Sequence, residues 1–311
     1  MTGFSIGEAY GAGFKLITGR PLSVLVWGLV YWLLNMIPVG LMLWLSGPEL
    51  LNAWSEMMAS AVAGEDPSSR LERMQSTMAG LQGFQGLGWL LGLLATGLIN
   101  AAIFRAVLRP EDGGIFGLKL GMDEVWQALI ELCINILLIL IAIPFALVFV
   151  GVGVAVFFAM GQGVGGVMAG LLIGLIGVVL FLWIALRFSL AGPATFATRN
   201  FQLFESWTLT KGQGFQLLLL AILLGLTIFV LQLVLGFVFL IAFVSAGTLE
   251  ALSPEAIEAF FTQPFETWSV QLLPWFIGAS LIGALLTGAL YTFLYAPFAS
   301  VYRQLTEAQS A

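Results

Sequence analysis

Glu131 and Asn135 stand one helical turn apart inside an otherwise apolar run, and Glu131 is the one acid placed within such a run. A carboxylate with an amide one turn deeper could hold a proton or a cation in a membrane. Its position, about one turn from the inner end of the run, also lets the carboxylate reach lipid headgroups. Asn35, Asn100 and Gln232 stand in other apolar runs. Polar side chains in hydrocarbon mark functional sites, or they bond across helices for about 1 kcal/mol with no substrate at all. Beyond these residues the chemical repertoire is short. The chain has no histidine and a single cysteine, Cys133. The commonest general base and transition-metal ligand is therefore missing, and neither an internal disulfide nor a cysteine metal cluster can form. No phosphate-cradling loop, nucleophile elbow, zinc motif or dinucleotide fingerprint occurs. An intramembrane hydrolase needs a paired nucleophile and base or two facing acids, and only Glu131 could serve. The sequence reads as non-enzymatic, with no cofactor and no metal.

Residues of this kind need an apolar scaffold, and the composition provides one. Of 311 residues 60% are hydrophobic and 9% charged, against roughly 45–50% and about 25% in a soluble domain. A helix needs about 20 apolar residues to cross the hydrocarbon. Runs of that length at about 21–46, 86–108, 128–158, 165–187, 215–246 and 272–302 predict six spans in a single integral membrane domain over residues 1–311. The fold class is all-α, a polytopic transmembrane bundle. The first run follows Lys15 and Arg20 as a signal peptide would, but it continues for about 25 residues with no small-x-small site after it, so it reads as a retained span. The runs at 128–160 and 215–246 exceed one membrane thickness, and tilt or a kink at Pro144 accommodates them without splitting.

Of the 11 lysines and arginines, all but Arg70 and Arg73 fall in the termini or in the second and fourth connections with their borders, where Arg105 and Arg187 end their spans. The opposite connections hold Glu49, Glu56, Glu65, Asp66, Glu72, Glu250, Glu255, Glu258 and Glu266. The positive-inside rule then places both termini in the cytoplasm. On the outer side, apolar residues at helical spacing from Leu50 to Val62 predict a helix that breaks near Gly64–Ser69. Ser253-Pro254-Glu255 predicts the start of a short helix at about 254–262.

Each inner segment carries an amphipathic stretch that leads into an odd-numbered span. The first has Ile6, Ala9, Tyr10, Phe14 and Ile17 on one stripe with Gly13, and the second has Leu118, Leu120, Met122, Val125 and Trp126. The third has Phe196, Phe201, Leu203, Phe204 and Trp207. A unit of interfacial helix, span, outer loop and span would repeat three times, and convergent boundary chemistry explains the same pattern. Such helices lie in the headgroup plane with basic residues near anionic lipid, each charge worth about 1 kcal/mol. Lys15, Arg20, Arg109, Lys119, Arg199, Trp207 and Lys211 are accordingly the candidates to touch lipid or a partner. Nucleic-acid binding is excluded, because acids nearly balance the bases on that side. Gly166, Gly170 and Gly174 form a row suited to close helix packing, within the chain or between chains, and a contact with Ser280, Ala284, Gly288 and Thr292 is expected.

The stretch Arg187-Phe188-Ser189-Leu190-Ala191-Gly192-Pro193-Ala194, with Ser206-Trp207-Thr208-Leu209-Thr210-Lys211-Gly212 entering a span, resembles a group of alphaproteobacterial six-helix inner-membrane proteins. These are similar to the membrane domain of bacterial glycerophosphoryl diester phosphodiesterases. Tyr10, Phe14, Arg20-Pro21 and Leu120-Gly121-Met122-Asp123-Glu124 fit the same pattern. The resemblance implies a module of the bacterial inner membrane over nearly the whole chain, with lipid close by. It carries over no catalytic residue, because the hydrolase activity of the full enzymes belongs to a soluble barrel with no counterpart in this sequence. The reading that follows is a lipid-associated or envelope-homeostasis module, with a small-solute or lipid transporter as the alternative.

The orientation is directly testable. In a C133S background, E65C or E255C should react with a membrane-impermeant maleimide added outside the cell. K119C or K211C should react only once the membrane is opened. Outside labelling of 119 or 211 with 65 and 255 silent would reverse the assignment.

Overall fold

The computed structural model describes residues 3–62, 81–112, 116–161, 163–245 and 265–310, with isolated positions between 62 and 81. Among them there are helices and no strand: α1 (Ile6–Gly19), α2 (Pro21–Val62), α3 (Gln82–Leu108), α4 (Met122–Ala159), α5 (Val164–Leu186), α6 (Ala191–Thr198), α7 (Glu205–Leu209), α8 (Gly214–Ser245) and α9 (Phe265–Ser310). A 3-10 turn at Pro110–Asp112 follows α3. Helices α2, α3, α4, α5, α8 and α9 are long and apolar enough to cross a membrane. The chain is an all-α, multi-pass membrane protein.

The helices outrun the apolar stretches that predicted them. The helix expected from Leu50 to Val62 is present but is continuous with the first span, as α2 passes through Pro38 and Pro48 to Val62, and α9 begins at Phe265 rather than near 272. The long runs each stay one helix, α4 passing through Pro144. The expected helix at 254–262 and most of the expected break at 64–69 lie outside the described residues.

The three amphipathic stretches are built differently from one another. The first is a separate helix, α1, capped by the Ser5 hydroxyl, which accepts from the Glu8 N–H at 3.3 Å. In the second, Met122, Val125 and Trp126 belong to the first turns of α4, so no separate interfacial helix precedes that span. The third is broken into α6 and α7, because Arg199 adopts a left-handed conformation (φ 57°) that ends α6.

The chain divides into two compact units. One comprises Met1–Val24, Thr96–Gly225 and Leu290–Ala311. Here α1 buries Ala9, Gly13 and Leu16, while Phe14 of the expected stripe stays exposed. Gly13 lies so near α9 that a Cβ would come within 3.0 Å of Phe293 Cα. The Ser5 N–H donates to Gln304 Oε1 at 2.7 Å and Glu8 pairs with Arg303 at 3.7 Å, which puts both ends of the chain on one side. Gly97 on α3 meets Ala128 on α4. The glycine row of α5 packs on α4: a Cβ at Gly166 would meet the Phe157 carbonyl at 2.9 Å, and one at Gly170 the Gly153 carbonyl at 3.5 Å or less from either direction. A Cβ at Gly174 would meet nothing within 4 Å. Much of the apolar surface of α4 and α5 is unburied, as expected of surface that lipid covers.

The second unit comprises Leu25–Ala95 and Leu226–Ala289. Its helices also meet at small residues. Gly28 of α2 lies against the Ala284 carbonyl of α9, and a Cβ at Gly92 of α3 would sit 3.2 Å from Asn35 Oδ1. Within its own unit, then, the α5 row lies on α4, and Ala284 lies on Gly28 within the other.

Methyl groups at the two closest approaches to another helix's backbone should cost about 1–3 kcal/mol each through overpacking. We expect G28A and G97A to lower the thermal unfolding midpoint in detergent. G11A, where a Cβ would meet nothing within 4 Å, should leave it unchanged or raised.

Candidate functional site

The side of the first unit that bears the termini holds three arrangements of polar side chains. The most enclosed centres on Arg105 in the last turn of α3, only 2% exposed. A guanidinium cannot be left alone in that environment, and several neighbours compensate it. Nη2 meets Glu124 Oε1 at 2.6 Å and Asp123 Oδ2 at 3.8 Å, and Nη1 donates to the Gly117 carbonyl. Asp123 and Glu124 occupy the first turn of α4, where carboxylates also favour the helix dipole. Phe116 and Gly117 take left-handed conformations (φ 56° and 69°) in the turn that presents that carbonyl.

Arg109, one turn further, extends the network to α6. It pairs with Asp123 at 3.5 Å, donates to the Phe196 and Ala197 carbonyls at 2.6 and 3.1 Å, and lies 4.7 Å above the Phe196 ring. Those carbonyls belong to the last turns of α6, where backbone acceptors have no partner within the helix. Arg199 Nε approaches Asp123 at 3.7 Å from the exposed side. Gln127 donates to the Gly192 carbonyl at 3.1 Å, and Gly192 stands where a Cβ would press on Phe104 at 3.1 Å.

The second arrangement surrounds Arg187 at the end of α5. Its guanidinium stands 4.6 Å from the Trp183 ring and 5.6 Å from the Trp207 ring, and Nη1 donates to the Thr210 carbonyl at 2.6 Å. The connection is fastened by Ser206, which donates to the Arg187 carbonyl at 2.7 Å and accepts from the Leu190 N–H at 3.2 Å. The third is Glu131, which accepts from the Tyr295 hydroxyl at 3.5 Å and from the Asn135 side chain.

The sequence candidates separate into groups. Lys15, Lys119 and Lys211 are exposed, as is Trp207, and Arg20 is half-buried. Arg109 and Arg199 join the Asp123 network. Of the intramembrane amides, Asn35 donates to the Tyr31 carbonyl of its own helix at 2.8 Å, and Asn135 and Gln232 are exposed. Asn100 is 2% exposed, and its Oδ1 is buried without a hydrogen-bond partner among the described residues. Sequence reasoning missed the Arg105–Glu124 pair, the stacking of Arg187 and the part played by Tyr295. An arginine at the end of an apolar run, followed by two acids opening the next, was a usable signal for the first. Neither a protein-family model, nor a curated protein, nor a solved structure matches the chain.

Removing one partner of a buried ion pair costs about 3–5 kcal/mol, because the other charge is stranded. We expect E124Q to unfold the protein at distinctly lower temperature in detergent, and R105M/E124M to recover most of the loss. D123N, at a partly exposed carboxylate, should cost less than E124Q.

Proposed function

We propose that this protein is a non-enzymatic inner-membrane module that gathers anionic lipid on its cytoplasmic face and serves lipid or envelope homeostasis. The observation that carries the reading is the outward belt of mixed basic and large apolar side chains on the side bearing the termini. Lys15, Lys119 and Lys211 are exposed there beside Phe14, Leu120, Phe204, Trp207 and Phe215, with Leu120 93% exposed. Large apolar side chains gain nothing from water, and ammonium groups gain nothing from hydrocarbon. Together they suit the headgroup boundary of an anionic leaflet. The resemblance to the phosphodiesterase membrane domain points the same way, toward lipid proximity without hydrolysis.

A transporter is the second reading, and Asn100 favours it. An orphaned amide oxygen inside the bundle is a place where a polar solute would find an acceptor. Solute flux in proteoliposomes that N100L abolishes would support that reading.

The lipid reading predicts enrichment of phosphatidylglycerol over phosphatidylcholine around the chain in mixed-lipid nanodiscs. At about 1 kcal/mol per charge, K15E/K119E should reduce that enrichment by roughly tenfold or more. An unchanged lipid ratio would overturn the proposal.

A further inference from the structure

Arg105, Arg109, Arg199 and Arg303 each have a carboxylate within ion-pairing distance. Arg187 has none among the described residues. Glu205, the nearest acid along the chain, makes no ion pair with it. One guanidinium nitrogen, Nη1, is held by the Thr210 carbonyl, and Nε is buried with no hydrogen-bond partner. The remaining nitrogen lies beside Gly214, the first residue of α8. A Cβ on Gly214 would stand 3.3 Å from Arg187 Nη2 and 3.0 Å from Trp183 Nε1. The guanidinium edge and an indole N–H thus both border the Gly214 backbone, at the start of a 32-residue helix. The first-turn N–H groups of such a helix have no acceptor within it and carry the positive end of its dipole.

Lys211, exposed three residues before Gly214, adds a further positive charge. Apart from the Thr210 carbonyl, which Arg187 already occupies, and Gln216 Oε1, a buried acceptor that lies by Gly3, the functional groups here are donors or cations, which disfavours a metal ion or an ammonium ligand and favours an oxyanion. Around it stand Phe204, Trp207 and Phe215, exposed apolar side chains on which acyl chains can lie, Phe215 being 78% exposed. We infer that Arg187, Trp183 and the first turn of α8 bind the phosphate oxyanion of an anionic lipid headgroup, a discrete site within the belt proposed above. The inference rests on the lipid reading for its occupant, and on Arg187 for its location. Free phosphate shares the chemistry and differs only in its source.

The test is native mass spectrometry of the full chain with phosphatidylglycerol added to detergent. The wild-type chain should retain one lipid per chain under conditions where R187Q retains roughly tenfold less, as loss of a charge-assisted hydrogen bond implies. Should R187Q fail to fold, G214A carries the test. It keeps the charged groups and places a methyl beside both donors, and it should also weaken retention severalfold. Retention that survives millimolar inorganic phosphate supports a lipid occupant. Displacement by inorganic phosphate supports an oxyanion site fed from solution and overturns the lipid assignment. Wild-type retention by folded R187Q or by G214A overturns the site. K15E/K119E separates the two proposals: if it leaves bulk lipid enrichment intact while R187Q loses the single tight lipid, the belt reading fails and the site stands.

Discussion

Burial of the Arg105 guanidinium is the constraint around which the basic side of the first unit is organised. Taking such an ion out of water costs several kcal/mol, so every acceptor near it has to be held in place. Glu124 answers the charge from the start of α4, Gly117 offers its carbonyl from the connection, and Asp123 extends the negative charge toward Arg109. Through Arg109 the same network reaches the end of α6 and fixes Phe196 beneath two guanidinium groups. The end of α3, the start of α4 and the end of α6 are thereby held to one another by charge as well as by apolar packing.

A common device recurs at the other arginines. Arg187 donates to the carbonyl at the end of α7, and Arg303 donates to the Val107 carbonyl near the end of α3 at 3.4 Å. Helix C-termini leave carbonyl groups without internal partners, and close to hydrocarbon water satisfies them poorly. A guanidinium fork satisfies them and complements the negative end of the dipole. The arginines that the charge count assigns to one leaflet thus have a second occupation within the protein. The lysines, with compact and strongly hydrated heads, stay outside.

The six spans and the amphipathic α1 were legible because hydrocarbon thickness and helical periodicity act locally. Helix ends were less so. The first apolar run ends near residue 46 and helical spacing resumes from Leu50 to Val62, but that the two are one continuous α2 was not legible, since hydropathy reports where lipid contact ceases and not where backbone hydrogen bonding does. The glycine row of α5 was visible as a packing face, but its partner was not, because a row of missing side chains carries no record of which backbone approaches it. Arg105 and Glu124, nineteen positions apart, and Trp183 and Trp207 flanking Arg187 are brought together by connections whose course depends on tertiary packing. The exposed lysines needed no such information. Their charge alone kept them at the surface.

The clasp between Ser5 and Gln304, 299 positions apart, bears on biogenesis. The unit that holds α1 is completed by residues beyond Leu290, so α1 leaves the ribosome long before its docking surface exists. Until α9 is made, Gly13 of α1 lacks the Phe293 backbone it packs against, and the membrane surface is the nearest apolar shelter. Docking of α1 therefore waits on a helix some 280 positions further along the chain, and a nascent chain stalled before α9 would hold α1 at the headgroup boundary.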